Sequence, residues 1–336
     1  VSGRVSTEVK DIQPWGVNVP FIYLSSLLWA LGGISLRWGL PYLDHPYLMI
    51  LGAYSLYCGM IQRLFFPARK YLPLQLTSLI LLPFPFHFFQ VAAFGSLTIT
   101  EVIALRDVKA YGSRFPWNFL VLLSPPSSAV AWFLFHGNYW ILVPPLLLYV
   151  LGVNVGVFSA NLSLRPLLGL SQLPVVVSVL LTWLFPKLLP ITLAIYFSLL
   201  LYRRKERGIH SLTALLTGVS GVLVPFSSLY LGDLLHAFAL GVMAPFFASC
   251  IVYSTSRYNY GRTWPIPLAF ASSYFLRFHY LGVSWVPFAL ASLYFLFLAR
   301  ESLGFTALKY GMSKKYLEPR FGKRSNEKRP NEGGLH

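Results

Sequence analysis

Long apolar runs alternate with short polar or basic segments along the chain. Runs of bilayer length fall at 20–38, 46–66, 117–136, 139–160, 211–231, 233–254, 264–280 and 282–299. A helix needs roughly 20 apolar residues to cross the hydrocarbon core, and runs that are apolar on every face have no side to turn to water. Two stretches are less regular. Residues 167–202 are interrupted by Phe185-Pro186-Lys187 and read as a hairpin of two helices. Residues 72–105 are too long for one straight span, and Pro83 and Pro85 break them, because proline removes a helix hydrogen bond and clashes with the preceding turn. They divide into 72–84 and 86–105, the first short enough to be re-entrant or tilted.

Charge selects that division. With 72–105 as two spans, the chain has twelve, and nearly all loop and terminal basic residues fall on one side. These include Arg63, Arg69 and Lys70; Arg106, Lys109 and Arg114; Arg165; Arg203 to Arg207; and Arg257 and Arg262. Only Arg37 and Lys187 remain on the other side, with Arg277 inside a span. Taking 72–105 as one span mixes the charges between faces. Cytoplasmic loops are rich in Lys and Arg, so the expectation is an all-α, polytopic transmembrane helix bundle in the cell membrane, with both termini cytoplasmic. Residues 1–18 are then a cytoplasmic segment, 19–300 the membrane domain, and 301–336 a basic, mostly disordered cytoplasmic tail. That tail reads either as solvated or as held to anionic headgroups. No cleavable signal is expected in 1–18, and Val1 stands where a start methionine would.

Composition agrees. Of 336 residues 56% are hydrophobic and 11% charged, with a mean hydropathy of +0.60. So few charges cannot cover a water-facing surface, so the solvent for most of the chain is lipid. The net charge of +16 lies in loop clusters, which points to the cytoplasmic membrane face and away from nucleic acid. Cys58 and Cys250 sit in apolar runs and read as inert buried thiols. Trp and Tyr are expected mostly in interfacial belts. Glu101, followed by Arg106 and Lys109, reads as an interfacial ion pair or as a proton carrier.

Candidate chemistry rests on histidine. Of seven histidines, His210 falls in an inner loop and His336 ends the chain. The other five, His45, His87, His136, His236 and His279, all fall at outer ends of spans. Each alone reads as an interfacial side chain. Together they suggest a shared ligand, because two imidazoles on facing helices can clasp a haem iron. His45 and His236 are the foremost pair, since each opens a span and each helix carries a glycine one or two turns on. His279 and His87 are reserves. Asp44 and Asp233 read as helix N-caps or as partners orienting the imidazoles. Arg277 reads as a snorkelling side chain or a partner for a propionate or quinone oxygen.

Asp44-His45 to Gly52 can be set against Asp233 to Gly241, each with Leu-Gly at its end. That match suggests a two-fold pseudo-repeat. P-loop, CxxC, HExxH, GxSxG and outer Asp-x-Asp patterns do not occur.

The stretch His236-Ala237-Phe238-Ala239-Leu240-Gly241-Val242-Met243, followed by an apolar helix ending at Ser254-Thr255-Ser256-Arg257, resembles histidine-bearing helices of twelve-span haem membrane proteins such as the NnrS group. In its basic, Met-poor, aromatic-rich character, the chain is similar to the hydrophobic membrane component of archaeal cytochrome b558/566. The resemblance implies a membrane subunit of a respiratory electron-transport complex. It would hold haem b near the outer face, draw on a quinol, and act with an extracytoplasmic haem protein. His236 is reached directly and His45 through the repeat. The rival expectations are a small-molecule permease with two related halves, a lipid-linked transferase, and a cofactor-free membrane anchor.

Overall fold

The computed structural model describes residues 14–39, 44–106, 117–202, 210–313 and 315. The N-terminal segment before Pro14, the clusters around Lys109 and Arg203 to Arg207, and the tail from 316 lie outside the described residues. Among the described residues the fold is entirely helical, without strands. The elements are α1 (Asn18–Trp38), α2 (His45–Phe65), α3 (Leu72–Leu81), α4 (His87–Arg106), α5 (Phe119–Phe133), α6 (Tyr139–Asn161), α7 (Gly169–Leu181), α8 (Pro186–Tyr202), α9 (Leu212–Leu231), α10 (Leu234–Thr255), α11 (Pro265–Leu276), α12 (Trp285–Ala299) and α13 (Phe305–Tyr310). Six are long and apolar enough to cross a membrane: α1, α2, α4, α6, α9 and α10. Pro83 and Pro85 do end one helix and start another, and Phe185-Pro186 separates α7 from α8, as the sequence predicts.

Burial sorts the long helices into two kinds. Within their apolar windows α2, α6 and α10 are 78%, 89% and 83% buried, against 39%, 44% and 50% for α1, α4 and α9. The first three therefore form the centre, and they pack pairwise on one another. The others present large apolar side chains outward, among them Leu27, Ile99, Val102 and Leu223, as a lipid-facing surface does.

The three central helices are built alike. Each carries a Leu-Gly pair, at Leu51-Gly52, Leu151-Gly152 and Leu240-Gly241. Each of these glycines lies against the helix before it. A Cβ there would come within 2.4 Å of Trp29 on α1, 2.7 Å of Val121 on α5, or 2.6 Å of Val224 on α9. Each central helix is followed by a 3₁₀ turn and then by a short helix with proline in its first turn (α3, α7, α11).

Helix breaks are closed by side chains. Pro245 has no N–H to offer the Gly241 carbonyl one turn back, and α10 widens into a π-helical stretch at Phe238–Met243. The Ser220 hydroxyl of α9 donates to that carbonyl at 3.2 Å. Pro125 has the same effect on Val121, whose carbonyl receives the Ser124 hydroxyl at 2.7 Å. Gln90 donates to Leu82 O at 2.9 Å and closes the proline turn before α4.

Two expectations need correction. Many aromatic residues are core and not belt: Tyr54, Tyr57, Tyr149, Tyr196, Tyr274 and Trp132 are fully buried. Their rings pack together, Tyr57 and Tyr149 at 4.5 Å between centroids, while Tyr54 and Tyr196 donate to the carbonyls of Leu142 and Leu151. Glu101 forms no ion pair among the described residues; it is 3% exposed and its Oε1 has no partner. Arg106 lies five residues on, about 140° around the helix at 3.6 residues per turn, and points elsewhere. Cys58 and Cys250 are free and buried, as expected.

The chain beyond Ser302 folds back on the start of α1. Gly16 N donates to Leu308 O at 2.8 Å, and Arg69 donates to Lys309 O at 2.9 Å. A Cβ at Gly16 would lie 2.2 Å from the Ala307 carbonyl oxygen.

Gly152→Ala is expected to cost about 1–3 kcal/mol, as overpacking does, because Val121 presents its backbone N at 2.9 Å as well as its side chain. Gly95→Ala, with open space around it, should leave thermal unfolding in detergent unchanged or slightly later. Equal melting of the two variants would mean that the close approach of α5 and α6 is not used.

Candidate functional site

His45 and His236 open two of the three central helices, and the fold brings them to the same end of the bundle. His45 is the first residue of α2, and its Nδ1 lies 2.9 Å from the Gly32 carbonyl of α1. His236 is in the first turn of α10, with Nδ1 2.7 Å from Asp233 Oδ1. His236 and Arg277 meet on the same carboxylate, that of Asp233, and form one cluster there.

Asp233 organises it. The residue stands in the connection between α9 and α10, in left-handed backbone at φ 54°, after Gly232 at φ 85°. Side chains other than glycine adopt that region rarely, with Asp among the more tolerant. The turn aims the carboxylate three ways. Oδ1 caps α10 by accepting from the His236 backbone N–H and takes the His236 ring. Oδ2 accepts from Arg277 Nη2 at 2.9 Å. The Tyr274 hydroxyl on α11 donates to Gly232 O at 2.8 Å and braces the turn. Burial pushes the Asp233 carboxyl up, but the hydrogen bond and charge of His236, with the Arg277 guanidinium, outweigh it and hold the group at about 2.

The predicted roles divide accordingly. Asp233 both caps its helix and orients an imidazole. Asp44 holds the N-cap position of α2 without a side-chain cap bond, and its carboxylate accepts from the Tyr139 hydroxyl instead. Arg277 pairs with Asp233, and its buried Nε has no partner among the described residues. His87 stands beside His136, ring centroids 6.5 Å apart, and His279 is exposed in the turn after α11. His210 donates its backbone N–H to Asn161 at the far end of α6, away from the cluster. Sequence reading missed the Gly32 carbonyl and Tyr139. A backbone acceptor leaves no residue-type signal, and a tyrosine beside Asn138 looks like any interfacial aromatic.

With Nδ1 of each ring engaged by an acceptor, the free donor atom is Nε2 on both His45 and His236. A carbonyl or carboxylate on one nitrogen fixes the tautomer that leaves the other as a metal ligand. No group of three or more His, Cys, Asp or Glu gathers among the described residues to hold a bare ion. The arrangement suits a centre that needs two protein ligands. Compared with known proteins, the chain matches no family model, no curated protein and no solved structure.

A depressed carboxyl pKa stabilises the fold at pH above its unfolded value near 4, and the contribution fades as pH falls through about 2. The thermal midpoint of the native chain should therefore exceed that of Asp233→Asn at pH 5, by a margin that shrinks on acidification from pH 4 to 2. A margin independent of pH would show that the carboxylate charge is not what holds the turn.

Proposed function

We propose that this chain is a membrane subunit of a respiratory electron-transport complex that holds haem b between His45 and His236. The observation that carries this reading is the matched pair of imidazoles, each opening a central helix and each with Nδ1 engaged and Nε2 free. The orphaned Nε–H of Arg277 suits a haem propionate, which needs a charge-assisted donor. Haem b supplies one-electron transfer between a quinol and an extracytoplasmic haem protein. The chain's own contribution is to fix both rings, neutralise a propionate, and exclude water with the packed aromatic centre. A permease would need room at midplane, where Tyr54, Tyr57, Tyr149 and Phe246 pack instead.

The topology that accompanies this reading has twelve spans, both termini cytoplasmic, and the histidine end outside. Beyond the six long helices, α5, α7, α8 and α11 are shorter apolar helices, and α3 and α12 complete the count. The pairing of α2 with α10 extends to α6 through the shared Leu-Gly, so the repeat becomes three four-helix units, α1–α4, α5–α8 and α9–α12. The contacts of Gly52, Gly152 and Gly241, which recur every fourth helix, support this reading beside the two-fold pairing of α2 with α10.

His45→Ala and His236→Ala should each abolish a low-spin haem signal in the reduced-minus-oxidised spectrum, and His210→Ala should leave it intact. A chain purified with its natural partners that shows no haem band would overturn the reading. In intact cells, a membrane-impermeant thiol reagent should modify a cysteine placed at Gly137, which is exposed in a turn, and not one placed at Arg204. Labelling of the Arg204 site would overturn the orientation.

A further inference from the structure

The end of the bundle opposite the histidines contains a cavity of about 460 Å³ between the final turns of α2, α6 and α10 and the chain after α13. Its polar lining includes Asn18, Arg63, Ser254, Arg257 and Ser313, with no Asp or Glu among the described lining residues. Arg63 stands in the last turn of α2, and among the described residues no carboxylate pairs with it. Asn18 is 2% exposed and its side-chain amide makes no hydrogen bond among the described residues. The Arg257 guanidinium stacks 4.8 Å over the Tyr253 ring, which fixes its direction. Arg63 and the ring-stacked Arg257 on the wall of a half-closed space, beside the Asn18 amide and with no acid among the described lining residues, suit an anion.

Depth identifies the anion's class. α2 has 21 residues, which at 1.5 Å each span about 32 Å, roughly the thickness of the hydrocarbon core. With His45 at one boundary, Arg63 lies at the other, at the level of lipid phosphates. Leu64, Val153, Val157 and Met312 line the same cavity and give an apolar wall alongside the cations. Basic pockets between helices at this depth hold lipid headgroups.

We propose that this cavity binds a phosphoryl anion, with Arg63 and Arg257 as its cation clamp and Asn18 and Ser254 as neutral donors. The source of the phosphoryl group is a phospholipid headgroup or free inorganic phosphate. This site is independent of the histidine cluster and of whether haem is bound.

The purified full chain in neutral detergent would be titrated with dioctanoyl phosphatidylglycerol, with dioctanoylglycerol, and with inorganic phosphate, reading the thermal midpoint and binding by calorimetry. The expected result is saturable binding of phosphatidylglycerol and none of dioctanoylglycerol. Arg63→Gln and Arg257→Gln should each weaken it at least tenfold, and Arg63→Lys less. Saturation by phosphate at the same concentrations would make free phosphate the source, and weaker or no binding of phosphate would make it the lipid. Binding of dioctanoylglycerol equal to that of phosphatidylglycerol, or no binding of either phosphoryl probe, would overturn the site. Both results come from the native chain and do not depend on the variants folding. Unchanged affinity in both glutamine variants would overturn the clamp.

Discussion

Inside hydrocarbon a backbone N–H or C=O without a partner costs several kcal/mol, and that constraint shapes every irregular feature of this chain. The sequence is rich in proline, with 24 residues, and each proline within a helix orphans a carbonyl one turn earlier. Nearby hydroxyls answer two of them, and an amide closes a helix end. Ser124 reaches Val121 O, Ser220 reaches Gly241 O, and Gln90 reaches Leu82 O. Indoles do the same where helices end: Trp140 donates to Thr182 O and Trp183 to Ile141 O. Such polar residues in apolar runs are therefore tied to specific breaks and are not spare functional groups.

The same constraint explains why the chemistry lies at the ends of the central helices. Glycines at positions 52, 152 and 241 let each central helix approach its neighbour closely, and in membranes, where burial between helices gains little from the hydrophobic effect, such close packing is a main source of association. The space that remains between the central helices is filled by aromatic rings: the Tyr54 hydroxyl donates to the Leu142 carbonyl, Tyr57 to the Ser124 hydroxyl, and Tyr149 has no partner among the described residues. Polar groups that are not needed for backbone repair collect where helices start and stop. At one end Asp233 gathers His236 and Arg277; at the other, Arg63 and Arg257 face a cavity.

Much of the architecture was legible because helix length, proline breaks and loop charge are local signals. The splits at Pro83 and Phe185-Pro186 and the placement of His210 away from the other histidines follow from such signals. The role of Asp233 was half legible: an acidic residue before a helix suggests a cap, but its left-handed turn and its grip on Arg277, 44 residues away, belong to the fold. Glu101 and Arg106 look like an ion pair because they lie close in sequence, but helical phase separates the two; Lys109 lies outside the described residues. The aromatic core was misread because belt and core use the same residue types, and only packing against α2 and α6 distinguishes Tyr57 from an interfacial tyrosine. The Leu-Gly at 151–152 went unnoticed because no histidine or acid stands ahead of it as on α2 and α10.

That difference between the three alike helices bears on how the site arose. If α2, α6 and α10 descend from one unit, a first-turn histidine is kept in α2 and α10 (His45, His236) and absent from α6, whose first turn is Tyr139 to Leu142. α6 is the most buried of the six long helices, 89% inside. Its Asn154 amide donates to the Phe246 carbonyl of α10, and its Tyr149 packs on Tyr57 of α2. α6 thus ties α2 and α10 together, the two helices whose first turns carry His45 and His236.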